Sequence, residues 1–218
     1  MEINYDEIRK YKDRIRIFLI IYFFAKEYED NEFQDCCKVL YTEVLIQKLD
    51  FLLRNPDYLA YELLELVSDG NANKEDVRNI IKEIFTQREP EIRRLEMEKF
   101  FFGAYENIDE VIAFLMSIDF IKFESKRDKK LRVTNKAYYI TNKADEAVKK
   151  HLSNMDAIKW YAKRCELIKK YFGDFTGSEL KALQYKIDDY KNTSYNEYIS
   201  EIQELVLEKY YEEYGEKI

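Results

Sequence analysis

The fold is decided by residues 108–144, which read IDEVIAFLMSIDFIKFESKRDKKLRVTNKAYYITNKA. Residues 108–118 place apolar side chains at helical spacing and predict an amphipathic helix. Residues 119–124 alternate between apolar and polar side chains, and residues 131–140 are rich in β-branched and aromatic ones, which predicts two strands. Between them lies SKRDKK, residues 125–130, which we call the charged tip. Together these segments are the only good hairpin candidate in the sequence.

Outside this stretch the sequence predicts helices. Glycine (5) and proline (2) are scarce among the 218 residues, whereas all-β folds use more of both. Apolar periodicity and capping residues predict helices over residues 5–29, 33–54, 58–67, 74–86, 90–102, 143–152, 155–171, 179–190 and 195–214. The run IFLIIYFFA, residues 17–25, is about half the length that spans a bilayer, so we expect a core helix in a cytoplasmic protein.

Residues 74–152 follow the order helix, helix, helix, strand, charged tip, strand, helix. That order resembles the winged helix-turn-helix superfamily, and the resemblance is carried by residues 108–118, by DFIK at 119–122 and by AYYITNKA at 137–144. Ala144 stands where this family usually has glycine. The resemblance implies a third helix that enters the DNA major groove and a hairpin wing that contacts the backbone.

The expected fold class is therefore mainly α, a multi-helix bundle with an embedded winged helix whose wing is one β-hairpin. We expect three regions: N-terminal helices at 1–55, a winged-helix domain at 56–152 and C-terminal helices at 153–218 that serve as an interface or pack on the rest. Breaks at Asn55-Pro56 and at residues 172–177 are the best candidates for a boundary.

Basic side chains make the wing the expected site of DNA contact. The predicted phosphate-binding residues are Lys126, Arg127, Lys129, Lys130, Arg132 and Lys136. The helix at 108–118 should expose Asp109 and Glu110 instead, which repel phosphates and offer no donor for a base edge. These two carboxylates are therefore expected at a protein partner interface.

Charge is distributed in blocks along a chain whose net charge is −7. Residues 1–118 carry a net −9, residues 119–172 a net +8 and residues 173–218 a net −6. The basic middle block indicates a surface that meets a polyanion, double-stranded DNA above all. The alternative is that the acidic ends fold back and neutralise it.

Tyrosines are frequent near the end of the chain, and tyrosine is enriched at protein interfaces. Tyr198, Tyr210 and Tyr211 are the expected partner-facing residues of this region. An apolar seam of Ile199, Ile202, Leu205 and Val206 would either mediate self-association into a dimer or pack back on the N-terminal helices.

Catalytic chemistry is poorly represented. The single histidine, His151, has no orienting carboxylate in sequence, and Cys36, Cys37 and Cys165 form neither a disulfide framework nor a zinc motif. No Gly-rich phosphate loop occurs. We therefore expect no catalytic residue, no metal and no cofactor.

The sequence predicts a non-catalytic winged-helix binding protein that contacts DNA mainly through its wing, as an adaptor or subunit of a nucleic-acid-associated complex. Two alternatives remain open. One is a dimeric winged-helix transcriptional regulator, which would protect two half-sites about one helical turn apart. The other is a protein-docking module with no nucleic-acid role.

Overall fold

A computed structural model describes residues 5–30, 32–100, 103–130, 133–151 and 156–218. The fold is mainly α, about 60% helical, with eleven helices, a four-stranded antiparallel sheet and the two-stranded antiparallel pair β3–β4 in the described part. The elements are α1 (Tyr5–Phe24), β1 (Lys26–Glu27), β2 (Cys36–Tyr41), α2 (Glu43–Arg54), α3 (Pro56–Ser68), α4 (Lys74–Thr86), α5 (Glu89–Ile92), β3 (Lys99–Phe100), β4 (Gly103–Ala104), α6 (Asp109–Ser117), β5 (Ile121–Arg127), β6 (Val133–Thr141), α7 (Asn142–His151), α8 (Asp156–Phe172), α9 (Gly177–Gln184), α10 (Asp188–Asn192) and α11 (Gln203–Tyr214). None of the described helices is both long and apolar enough to cross a membrane.

The chain forms two compact units, each assembled from two segments. Unit 1 comprises Met1–Ile46 and Asn107–Gly173, and unit 2 comprises Gln47–Glu106 and Asp174–Ile218. The units therefore interleave along the sequence, and their boundaries differ from those of the three consecutive regions expected from sequence. One boundary falls within α2, where the sequence offers no linker.

Unit 1 is built around a sheet of order β1-β2-β6-β5 in which all neighbours are antiparallel. The predicted hairpin is present as β5 and β6, with Ile121 opposite Ile140 and Lys126 opposite Asn135. Strands β2 and β6 of the sheet pack against α1. The apolar run of α1 is buried as expected, and Ile20 and Ile21 have no exposed surface.

The predicted helix over residues 33–54 is wrong in its first part, because Cys36–Tyr41 forms strand β2. Two features explain the difference. Strand β2 pairs with β6, about a hundred residues later in the chain, so its partner is not visible locally. Thr42 then adopts a left-handed backbone (φ 73°), which separates β2 from α2, and its hydroxyl accepts the Leu45 N–H at 3.3 Å.

Unit 2 is organised on α3, whose Tyr58, Leu59 and Leu63 have no exposed surface. Helix α11 packs against α3: Asp57 Oδ2 accepts the Ile202 N–H at 2.8 Å, and the Tyr58 hydroxyl donates to the Ser200 carbonyl at 3.0 Å. The predicted helix over residues 90–102 is replaced by the short α5 and by strand β3.

Strand β3 also supplies an unusual helix cap within unit 2. The buried Lys99 ammonium donates to the carbonyls of Tyr190, Lys191 and Thr193 at 2.7–2.9 Å. These carbonyls lie at the C-terminal end of α10, where backbone acceptors have no partner within the helix. The ammonium therefore satisfies them and opposes the negative end of the helix dipole.

Candidate nucleic-acid interface

The β5–β6 hairpin becomes more exposed towards the charged tip. Along β5, Ile121 is buried, the next three residues are half-buried and the last three are exposed. Lys126, Arg127, Lys129 and Lys130 are all exposed, so four of the predicted phosphate-binding residues lie at one end of the hairpin. Asp128 accepts the Lys130 N–H at 2.8 Å and so forms a local turn there. Arg132 lies outside the described residues.

Two basic residues on the strands of the hairpin are held in ion pairs. Lys136, the sixth predicted phosphate contact, is half-buried and pairs with the Glu43 carboxylate. On the other strand Lys122 pairs with Asp35, which raises the pKa of the lysine and lowers that of the aspartate through their hydrogen bond. The exposed cations of the hairpin are thereby concentrated at the charged tip. Sequence reasoning does not find Glu43 or Asp35, because they precede their partners by 93 and 87 residues.

Helix α6 leads into β5 and has one buried side and one exposed side, as the sequence predicts. Ile112 and Leu115 are buried, while Asp109 and Glu110 are exposed in its first turn. Carboxylates at a helix N-terminus are favoured by the helix dipole, which gives them a structural role as well. Met116 also lies on the exposed side, with 44% of its surface accessible. The exposed side of α6 is therefore acidic, with Met116 as its large apolar side chain.

The three predicted tyrosines occupy two kinds of position in unit 2. Tyr198 and Tyr211 are exposed. Tyr210 has no exposed surface, and its hydroxyl donates to Glu216 Oε1 at 2.6 Å, so it is a core residue and is not available to a partner. The seam residues Ile199, Ile202 and Val206 are buried as well. The sequence allows two roles for the apolar seam, packing within the chain or self-association. In the structure the seam is buried in the packing against α3.

Net charge separates between the two units. Unit 1 carries 22 basic and 19 acidic residues, a net +3, whereas unit 2 carries 14 basic and 24 acidic residues, a net −10. Unit 1 is therefore weakly basic and unit 2 is strongly acidic. A polyanion is attracted to the first and repelled by the second.

The described residues include no group of three or more histidine, cysteine, aspartate or glutamate side chains that could hold a metal ion. The three cysteines are free, with Cys36 and Cys165 buried and Cys37 half-buried. Burial raises the pKa of the Cys36 thiol to about 11, so this thiol is protonated and a poor nucleophile at neutral pH.

No protein-family model, no curated protein and no solved structure matches this chain.

Proposed function

We propose that unit 1 is a winged-helix module that binds duplex DNA through the phosphate backbone with the charged tip of its hairpin, in a cytoplasmic, non-catalytic adaptor or complex subunit. The observation that carries the proposal is the exposure of Lys126, Arg127, Lys129 and Lys130 at one end of an antiparallel hairpin. Lysine and arginine that neutralise phosphates release counterions, which drives binding irrespective of sequence.

The topology of unit 1 supports the winged-helix part of the proposal. Strand β2 pairs with β6, so the sheet order β1-β2-β6-β5 places two further strands beside the predicted wing hairpin. The two helices that the resemblance takes from residues 74–86 and 90–102 lie in unit 2, so the proposal instead assigns α1, α2 and α6 as the three helices, with β5 and β6 as the wing. Only residues 43–46 of α2 belong to unit 1, and residues 47–106, with the rest of α2, then form an insertion that belongs to unit 2.

The exposed side of α6 argues against base recognition in this module. Asp109 and Glu110 occupy its first turn, and no arginine, asparagine or glutamine accompanies them on α6. Direct readout needs such donors to meet base edges in the major groove. Binding should therefore be strongly dependent on salt and nearly independent of DNA sequence.

The decisive experiment measures binding to random-sequence duplex DNA over a range of salt concentrations. The test variant replaces Lys126, Arg127, Lys129 and Lys130 with alanine. The matched control replaces Lys10, Lys12, Lys150 and Lys163, four exposed lysines elsewhere in unit 1, and changes the net charge equally. We expect the test variant to lose most of the affinity and to reduce the slope of log K against log salt by about 0.9 for each phosphate that is no longer neutralised. Equal losses of DNA affinity in both variants would mean that the effect comes from net charge alone. No DNA binding by the intact chain would refute the proposal.

A second candidate function is protein docking through α6. The accessible Met116 beside Asp109 and Glu110 favours a basic partner with an apolar side chain at its surface. Partner binding that survives the four tip substitutions but is lost in Met116→Lys would support docking over DNA binding. Loss in the tip variant alone would count against it.

A further inference from the structure

A small second core lies on the outer face of the sheet in unit 1. Val39, Ala137 and Tyr139 are buried there, and Tyr28 and Phe33 pack against them. The Tyr139 ring meets that of Tyr28 edge-on at 5.0 Å between centroids and that of Phe33 at 4.7 Å. Tyr139 is therefore held from two sides by the chain that precedes β2.

A pocket with a cavity volume of about 100 Å³ opens beside this core. Its walls include three tyrosines and three carboxylates, namely Tyr28, Tyr41, Tyr139, Asp30, Glu32 and Glu124. The Tyr139 hydroxyl donates to Glu124 Oε2 at 3.0 Å, which fixes this carboxylate on the pocket wall. Both burial and this bond raise the pKa of Tyr139, so its hydroxyl keeps its proton.

Tyrosine rings and carboxylates in one pocket define the charge of a suitable ligand. A ring face attracts a cation through its quadrupole, and a carboxylate accepts charge-assisted hydrogen bonds from N–H donors. An anion would meet three like charges in this pocket. A cation with N–H donors is therefore the complementary chemistry.

The same unit already binds its own ammonium groups in this manner. Lys122 pairs with Asp35 while its nitrogen lies 5.3 Å from the centre of the Phe33 ring. The Lys38 nitrogen lies 3.6 Å from Asp145 and 4.1 Å from the centre of the Tyr22 ring. In both cases one carboxylate and one aromatic ring hold a primary ammonium.

We infer that this pocket binds an organic cation, a primary ammonium head group carried either by a small amine or by a lysine side chain of a peptide. The volume admits a head group and little more, so the rest of the ligand stays outside. Lys126 also lines the pocket, and its like charge opposes the binding of a cation there. The inference stands independently of DNA binding.

The test is a titration of the full chain with butylammonium and, separately, with a capped lysine, followed through amide chemical shifts. We expect saturating shifts at Tyr28, Tyr41 and Glu124 with at least one probe, and the tighter probe identifies the source of the head group. Glu124→Gln keeps the shape of the side chain and removes its charge, so binding should weaken about tenfold, the effect of about 1.4 kcal/mol. The matched control is Glu146→Gln, an exposed carboxylate on α7 of the same unit.

Two further variants make the result unambiguous. Tyr41 is 45% exposed, so Tyr41→Ala should fold while it removes one ring of the pocket and weakens binding. Lys126→Ala should strengthen binding, because it removes a like charge from the pocket wall. Shifts that rise linearly without saturation, or that are equal in Glu124→Gln and Glu146→Gln, would overturn the inference.

Discussion

The Lys48 ammonium lies 3.0 Å from the carbonyl oxygen of Ala104 in the interior of unit 2. Only 1% of the Lys48 surface is exposed, and burial together with the nearby charge of Lys181 lowers its pKa to about 7. A buried lysine with this environment is more stable when neutral. Its protonation is therefore linked to the stability of the fold.

We predict that the contribution of Lys48 makes the protein more stable as pH rises. Below about pH 7 both the native and the unfolded states are protonated, and the full cost of a buried charge applies. Between about 7 and the ordinary value of 10.5 only the unfolded state binds the proton, so stability rises with pH. Lys48→Met should raise the free energy of unfolding in urea at pH 7 and flatten this rise. Unchanged pH dependence in Lys48→Met would show that the side chain is not buried as described.

Glu62 is predicted to act in the opposite direction over a neighbouring pH range. It lies on α3 with 3% of its surface exposed, and desolvation followed by repulsion from Glu65 raises its pKa to about 8. Between the ordinary value of 4.5 and about 8 the native state retains a proton that the unfolded state has lost, so stability falls as pH rises. Glu62→Gln should remove this fall and stabilise the protein at pH 8.

The control for this prediction is Glu204→Gln, an exposed glutamate on α11 of the same unit, which should leave the pH profile unchanged. Combined with the effect of Lys48, the intact chain should show minimum stability near pH 7–8 within this range. A profile without that minimum, in which Glu62→Gln and Glu204→Gln behave alike, would contradict the buried position of Glu62.

Gly103 is predicted to be indispensable for packing around Lys48. Its φ of +93° disfavours other residues, and an added Cβ would lie 2.5 Å from the Tyr190 hydroxyl and 2.9 Å from the Lys48 nitrogen. Gly70 has a similar backbone (φ +73°), but an added Cβ would meet nothing within 4 Å. Gly70→Ala should therefore show the conformational cost of about 1–2 kcal/mol alone.

Gly103→Ala should destabilise the protein by a further 1–3 kcal/mol or so, because it also overpacks the core. The comparison is made by urea unfolding of both variants. Equal losses at the two positions would mean that the space around Gly103 is larger than the structure indicates.

Local signals make part of the fold predictable from sequence. The hairpin follows from alternation and β-branched residues on both sides of the charged tip, and the cap of α4 by Asn73 follows from its side chain, which accepts the Asp76 N–H at 3.0 Å. The cap of α9 is Thr176, whose hydroxyl accepts the Glu179 N–H. The capping-box spacing of Thr176 and Glu179 is a usable signal in the sequence.

Long-range pairing makes the rest unpredictable. Strand β2 is as apolar as a helix would be, and it is a strand because it pairs with β6. The chain passes from one unit to the other at points where the sequence has no residues typical of a linker. At the candidate site, the four exposed basic residues of the charged tip follow from sequence, because charge at a hairpin end is a local property. The pairing of Lys136 and the burial of Tyr210 depend on Glu43 and on the packing of α11, which the sequence pattern does not reveal.

Lys136 and Lys129 are both predicted phosphate contacts, but they differ in exposure and in pairing. Lys129 is exposed at the charged tip, whereas Lys136 is half-buried and pairs with Glu43. If the charged tip binds DNA, Lys129→Ala should weaken binding and reduce its salt dependence without lowering the melting temperature. Lys136→Ala should lower the melting temperature, because Glu43 loses its partner, and should change DNA affinity less.

A double-mutant cycle with Glu43→Gln separates the two effects: the stability losses should not add, since both substitutions break the same ion pair. Additive losses would mean that Lys136 and Glu43 do not interact. A larger DNA effect at Lys136 than at Lys129 would move the phosphate contacts from the charged tip to strand β6.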